Sequence, residues 1–412
     1  MTSINKVRPD FVCFVCTGRD PESGRPGSIS QITGKGNVIS KRVGGKLELP
    51  NIPTQAGLEE SQFETLKVPA DDLDQAFVAI HDQLADLHSR YPQAGITADY
   101  TGGTKTMTAA LVTAVLETGG VGLQLVTGAR ADLVKVADET QYALAANVQG
   151  IRLQRSMASF LGAWRRFAYD EAGEGLQTLE MPRDSVLRAH LSLARNLSRA
   201  FAAWDRFDHA AALEALAPFR SRVGKSLGLH LKTLKLLRED DDRRVPLQIF
   251  DLWLNAKRRA VQGRYDDAVA RVYRLIEWTA QWQLKSRAGI DTSDVLPEKI
   301  PEGIELTKNR DGKYQAGLFQ AWMLIERLLD GCAQEFIRDH HEELLHHLDT
   351  RNRSILAHGF TPVDRGDWKR LEDWMEAAFV PVLAELARTR SGIRFDMSAL
   401  QLPAELPREN PN

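Results

Sequence analysis

The chain has few cysteines, no long apolar run and no surplus of either charge. Each absence removes a class of protein. Three cysteines in 412 residues cannot build the framework of a secreted disulfide-stabilised fold. No stretch of 18 apolar residues is present, so no membrane-spanning helix is expected. The first residues, MTSINKVRPD, are polar and lead straight into FVCFVC, which is not the order of a secretory leader. The expected compartment is therefore the cytoplasm. Lysine plus arginine number 53 against 55 acids, a net charge of -2, so no global basic field points to nucleic acid. A local basic site stays open. Cys13 and Cys16 form a C-x-x-C without a second pair, and Cys332 stands alone. Inside an apolar strand a spacing of three puts the two on opposite faces. They read as core cysteines rather than a redox or zinc motif.

What is present is globular: 43% hydrophobic and 26% charged residues suit a buried core under a charged surface. A chain this long exceeds one ordinary core, so two or three domains are expected. The first 150 residues alternate. FVCFVC (11–16) and GITADY (95–100) read as strands, as does VGLQLVT (121–127). Residues 71–90 carry Leu73, Phe77, Ile80, Leu84 and Leu87 at helical spacing, and 104–118 form an apolar helix stopped by Gly119-Gly120. Strands alternating with helices predict a parallel sheet with crossovers, a Rossmann-like α/β domain. From about 151 long helical patterns take over: 151–170, 184–216, 219–238, 246–262, 265–288, 316–329, 331–358 and 366–390. RPGS (25–28), DDDRRVP (240–246) and GIDTSDVLPEKIPEG (289–303) read as connections. The later part is expected to be all-α with a break near 240–246. AWDRFDHAAAL (203–213) and VQGRYDDAVARVY (261–273) echo one another as helix hairpins, at a separation unlike a 34-residue repeat array.

One turn stands out in the first part, DYTGGTKTMTAAL (99–111). It is not a P-loop, because Thr104 occupies a position where that motif needs glycine. It still suits phosphate. Gly102 and Gly103 let the backbone approach a ligand, and the helix that follows presents free N–H groups and a partial positive charge. Thr101, Thr104 and Thr106 offer hydroxyls and Lys105 a full charge. Open α/β sheets bind ligands at the carboxyl ends of strands, where this turn sits. Thr17-Gly18-Arg19 ends the first strand and would share the same crevice. The bland reading of the turn is an ordinary threonine N-cap.

The second constellation is RNRSILAHG (351–359), read as the close of a long helix. Arg351 and His358 are seven apart and return to one helical face, with His347 on the same stripe. Arg353 is five from His358 and faces elsewhere, so helical phase favours Arg351. Arginine with histidine suffices for RNA cleavage without metal. The histidine moves the proton of the 2′-OH or of the leaving 5′-oxygen, and the arginine holds the scissile phosphate. On residue chemistry alone, a surface arginine with a histidine at a helix C-terminus serves equally well. Upstream, RDHHEELLHHL (338–348) places His341 and His346 five apart, not the four of a zinc helix, and reads as a solvated or interface helix.

The two motifs together, DYTGGTKTM after a strand and RNRSILAHG at the end of a late helix, resemble the CRISPR-associated CARF–HEPN ribonucleases of type III systems. QGRYDDAVARVYRLIEWTAQ (262–281) is similar to the first long helix of that family's HEPN region. The HEPN signature is an arginine, often followed by a polar residue, then four to six residues and a histidine. Arg351-Asn352 and His358 fit it, and so does Arg353. The resemblance implies a CARF-like sensing domain over 1–150, a helical spacer over 151–245 and a HEPN-like domain over 246–412. It implies that Thr101, Gly102, Gly103, Thr104 and Lys105, with Thr17 and Gly18, bind a cyclic oligoadenylate. It implies that Arg351, Asn352 and His358 cut single-stranded RNA to a 2′,3′-cyclic phosphate, with no metal and no cofactor beyond the activator. A two-fold homodimer through both domains would bind the ring across its axis, away from any membrane. The alternative is a CARF-containing regulator that binds nucleic acid or protein without cutting. That needs a recognition helix with exposed Arg or Lys and base-reading Asn or Gln, which RNRSILAHG lacks.

Overall fold

The computed structural model describes residues 2–21, 24, 26–34, 50–129, 140–223, 227–239, 243–352, 355–356, 359–392 and 400–407; of 348, 350, 351, 390 and 391 it describes the backbone only. The chain divides into two compact units, residues 1–154 and 155–412.

The first unit opens with α1 (Thr2–Val7), β1 (Val12–Cys16), and the short helices α2 (Ser30–Thr33) and α3 (Ile52–Ala56). β2 (Phe63–Lys67), α4 (Leu73–Arg90), β3 (Ile96–Asp99), α5 (Lys105–Glu117), β4 (Val121–Thr127) and β5 (Tyr142–Ala145) follow. β1 pairs parallel with β2, Val12 opposite Phe63 and Cys16 opposite Lys67. β3 pairs parallel with β4, with α5 as the crossover, and β5 returns antiparallel on β4. Among the described residues the strands thus form two small sheets, of two and three strands, where the alternation predicts one continuous parallel sheet. α1, β2 and β5 have no counterpart among the sequence-based expectations. α1 has no apolar stripe and is held by polar contacts instead: Lys6 Nζ donates to the Ala143 carbonyl (2.7 Å), and Ser3 to Asp99.

One apolar core serves both sheets. α4 buries Ala76, Ile80 and Leu84, spaced one turn apart, and α5 buries Met107, Ala110, Ala114 and Val115. These meet Val68, Ala98, Val121 and Leu123, with Val15 and Leu66 packed at the margin. The apolar face of α5 is therefore covered within its own unit. Cys16 is fully buried and Cys13 half-buried, and neither is in a disulfide. Burial, then the neighbouring Glu64 carboxylate, pushes the Cys13 thiol up to about 12, so it is not a ready nucleophile.

The second unit is helical. After α6 (Gln149–Leu161), which runs into it, come α7 (Tyr169–Thr178), α8 (Ser185–Asp205), α9 (His209–Leu216) and α10 (Gly228–Arg238). α11 (Arg244–Val261) and α12 (Tyr265–Gln283) are followed by a small antiparallel hairpin, β6 (Thr307–Lys308) with β7 (Tyr314–Gln315), in the stretch expected to hold no strand. α13 (Leu318–Leu328), α14 (Cys332–Asn352), α15 (Arg365–Trp374) and α16 (Val380–Ser391) complete it.

Three of its helix–helix corners share one hydrogen-bond pattern. Phe167, Phe207 and Gly263 adopt positive φ of 55°, 65° and 74°. The N–H of each reaches back to Trp164, Trp204 or Ala260, and the next N–H to Ala163, Ala203 or Arg259. This is the Schellman closure, which satisfies the last helix carbonyls. The hairpins read at 203–213 and 261–273 are the second and third corners. The first, AWRRFAYD against AWDRFDHA, repeats the aromatic at the left-handed position and is an echo that the sequence reading lacks.

A buried polar joint fastens these helices. Asp251, Asn255 and Arg258 lie on one stripe of α11. Arg258 is fully buried; its Nε donates to Asp205 Oδ1 (2.7 Å), its Nη1 to Gln401 Oε1 (2.8 Å) and its Nη2 to Asp251 Oδ1 (3.4 Å). Trp204 Nε1 donates to Asp251 Oδ2 (2.9 Å), and His209 Nε2 lies 3.0 Å from the same oxygen. Asn255 donates to Asp205 Oδ1 (2.7 Å), and Arg259 also pairs with Asp205. Removing one partner of such a set leaves buried charge uncompensated, a loss of about 3–5 kcal/mol. Arg258→Met is therefore expected to lower stability by about 3 kcal/mol, whereas Arg206→Ala, which breaks an exposed pair with Asp170, should cost under about 1 kcal/mol. Urea titration by tryptophan fluorescence checks this for the second unit alone, because all eight tryptophans lie in it. Equal midpoints for the two variants would contradict it.

Candidate functional site

At the β3–α5 turn the glycines and lysine are open, whereas the hydroxyls of Thr101 and Thr104 are engaged; that of Thr106 has no partner among the described residues. Thr104 is the N-cap of α5: its hydroxyl accepts from Met107 N (3.1 Å) and donates to the Ala70 carbonyl (2.8 Å). The Thr101 hydroxyl donates to Asp99 and accepts from Val126 N (2.6 Å). Both hydroxyls thus shape the turn. Gly102 has open space where a side chain would stand, and Gly103 holds φ 100°, a value that an L side chain adopts only under strain. Lys105 is exposed, and no ion pair or hydrogen bond engages its ammonium among the described residues. The first-turn N–H groups of α5 have no acceptor within the helix, and Lys105 adds its charge to theirs.

The turn after β1 lies close by. Cys16 O accepts from Val68 N, and two residues later Ala70 O accepts from Thr104, so the segment 68–70 bridges both strand ends. Thr17 is engaged: its N–H donates to Ser28 Oγ (2.9 Å) and its hydroxyl accepts from Ser28 N (3.0 Å). The Gly27 backbone passes so near the Thr17 and Gly18 carbonyls that no Cβ would fit there. Gly18 faces open space. Thr17 therefore holds the loop, while Gly18 leaves room beside it.

The second candidate site closes α14. This helix breaks at His340, whose φ of -121° is not helical, and ends at Asn352. Ile355 and Leu356 form a turn. The single helix expected over 331–358 does not run that far, so helical phase cannot be carried from Arg351 to His358, and it no longer separates Arg351 from Arg353. Asn352 is exposed on the last turn. The Arg351 side chain and all of Arg353, Ser354 and His358 lie outside the described residues. Apolar side chains crowd the surface here: Ile355, Leu356 and Phe360 are 62%, 51% and 88% exposed. Val363 N donates to Asp266 Oδ1 (3.4 Å), tying the end of this segment to the start of α12.

The histidines before the motif have separate partners. His340 pairs with Glu343 (2.5 Å), and His341 meets Phe319 edge to face. The His347 ring lies 4.7 Å from that of Trp374. Burial pushes its pKa down to about 4. His346 and Arg370 act in the same direction, and Glu343 opposes them. It stands neutral at pH 7, one turn before Arg351, as an aromatic anchor for the end of α14.

Comparison with known proteins adds two findings. Residues 238–379 match the family model described as the Csm6 HEPN domain. The solved structure of Enterococcus italicus Csm6 bound to cyclic hexa-2'-fluoro-hexa-dAMP is similar over 96% of this chain and 91% of that one, with a TM-score of 0.53 and 10% identity. No curated protein matches the sequence. The chain thus resembles the CARF–HEPN ribonucleases in its helical part by sequence and along nearly its whole length by fold.

Two outcomes follow from the geometry. Thr104→Val should remove the cap and destabilise α5 by about 1 kcal/mol, with Thr104→Ser close to the parent; amide exchange along α5 reads this. Below the ordinary histidine value of 6.5 the unfolded chain takes up a proton that folded His347 refuses. Its contribution is therefore full above that pH and is lost as pH falls toward about 4, a loss of about 3 kcal/mol that solvent screening of the partly exposed ring reduces to about 2 kcal/mol. His347→Phe keeps the stacking on Trp374 and should flatten the acid side of a melting-temperature profile. An unchanged slope would show that His347 is not the group responsible.

Proposed function

We propose that this chain is a single-stranded RNA endonuclease of the HEPN type, switched on by a cyclic oligoadenylate held at the β3–α5 turn. The observation that carries it is the match of residues 238–379 to the Csm6 HEPN domain, a span that contains Arg351, Asn352 and His358. The similar Enterococcus italicus protein is bound to cyclic hexa-2'-fluoro-hexa-dAMP, which supports a ring of adenylates as the ligand here.

The chemistry needs no group beyond the side chains named. His358 takes the 2′-OH proton, the 2′-oxygen attacks its own phosphorus, and the bond to the 5′-oxygen breaks with a proton returned to it. The product ends are a 2′,3′-cyclic phosphate and a 5′-hydroxyl. Arg351 holds the phosphate and steadies its growing charge, with Asn352 beside it. One histidine cannot readily serve as both acid and base, so two copies of the chain would contribute one each. The exposed Ile355, Leu356 and Phe360 support a second copy at this end.

At the sensing end, Gly102, Gly103 and Gly18 leave room for phosphates, Lys105 supplies charge, and Thr101, Thr104 and Thr17 fix the turns that present them. A ring across a two-fold axis would meet two such turns. Activation requires only that the ring bind the cutting arrangement more tightly than the resting one.

Labelled single-stranded RNA incubated with the protein, EDTA and each cyclic oligoadenylate in turn tests this. Cleavage is expected with a ring of one size. His358→Ala should reduce it at least about 100-fold. Comparing Arg351→Ala with Arg353→Ala assigns the phosphate-holding arginine, and Lys105→Ala should need about 10-fold more activator at an unchanged maximal rate. No cleavage with any ring would sink the reading.

A further inference from the structure

The three left-handed corners of the second unit leave a cleft of about 340 Å³ between them, lined by Arg166, Phe167, Arg259, Gln262 and Arg264 among others. Its carboxylates are already spent. Asp205 is held by Asn255, Arg258 and Arg259. Glu171 is held by Arg166 (2.9 Å), and Asp170 by Arg206 (2.5 Å). Its donors are not spent. The Nε–H of Arg259 is buried with no acceptor among the described residues. Arg264 is exposed at the rim, and none of the described carboxylates pairs with it. Gln262 is fixed by donating to the Phe167 carbonyl (3.2 Å), which ties the first corner to the third. A cleft whose acids are neutralised internally and whose rim carries an exposed arginine without a carboxylate partner among the described residues suits an oxyanion.

Its place identifies which one. Arg264 directly precedes α12, and two residues on Asp266 holds Val363, the end of the segment that carries RNRSILAHG. The half-buried Phe167 also lines this cleft, and arginine with an aromatic residue is the usual pairing for one nucleotide of a single strand. We propose that this cleft is a substrate subsite: Arg264 at its rim, with the Arg259 guanidinium behind it, takes a backbone phosphate of single-stranded RNA. The assignment rests on the ribonuclease reading above, and it adds residues that lie outside both motifs.

The test reads binding rather than cutting. Polarisation of a fluorescein-labelled ten-nucleotide single-stranded RNA is measured on the His358→Ala chain, with and without Arg264→Ala, at two salt concentrations. Arg264→Ala should weaken binding about 5- to 10-fold and reduce the salt slope by about one. Arg264→Lys should restore part of the affinity. Matched melting curves would show that the fold is kept, because the corner is closed by the Arg264 backbone N–H and not by its side chain. RNA affinity that ignores position 264 would overturn the proposal. So would an Arg264-dependent affinity for inorganic phosphate or adenosine monophosphate with RNA binding unaltered, because the cleft would then be a small-phosphate site. Since no cleavage is needed, Arg264-dependent RNA binding by a parent chain that never cuts would sink the ribonuclease reading and leave an RNA-binding cleft in place of a substrate subsite.

Discussion

The helical unit depends on one buried cation. Arg258 has no exposure, and a guanidinium without water must be met by charge and by hydrogen-bond acceptors. Asp205 comes from the end of α8, Asp251 from its own helix and Gln401 from the segment that follows α16. Satisfying one side chain therefore fixes three parts of the chain in register. The other oxygens of the two aspartates are taken by Trp204, His209 and Arg259, and Asn255 shares Asp205 Oδ1 with Arg258. An apolar residue of the same size would avoid the desolvation cost, but it would not dictate where α8 ends relative to α11.

That register has consequences for chemistry. The corners at Phe207 and Gly263 follow helices pinned by the joint, and Gln262 ties the Phe167 corner to the third. Their closeness leaves a cleft in which acids are consumed and arginine donors remain. The same register places the start of α12 where Asp266 can hold Val363, and so anchors the far end of the segment bearing His358. The near end is anchored differently, by the neutral His347 ring against Trp374.

The candidate site of the first unit carries less charge. Three of its hydroxyls are spent on geometry: Thr104 caps α5 and reaches Ala70, Thr101 spans Asp99 and Val126, and Thr17 holds Ser28. What the turn leaves open is the backbone N–H groups of Lys105 and Thr106, the Thr106 hydroxyl, the space beside the glycines, and Lys105. On the proposed function, such a site would read shape and charge at close range.

Local elements are legible where the hydrophobic pattern is strong. FVCFVC, VGLQLVT, α4 and α5 follow period 2 or period 3.6 closely. FETLK, YALA and the polar α1 escape a sequence reading because short or polar segments carry no such period and are held by tertiary hydrogen bonds. Both candidate motifs can be located from residue types alone, since a helix N-terminus with glycines and lysine is a local property. What each side chain does there cannot. Thr104 has the look of a ligand donor until Ala70, distant in sequence, is seen to accept from it. The helix expected to carry Arg351 and His358 on one face stops at Asn352. The sequence by itself determined the alternation, the helices and the place of the two candidate motifs. Only the tertiary structure decided the partner of each polar group, because those partners come from remote parts of the chain and burial compels every one to be met.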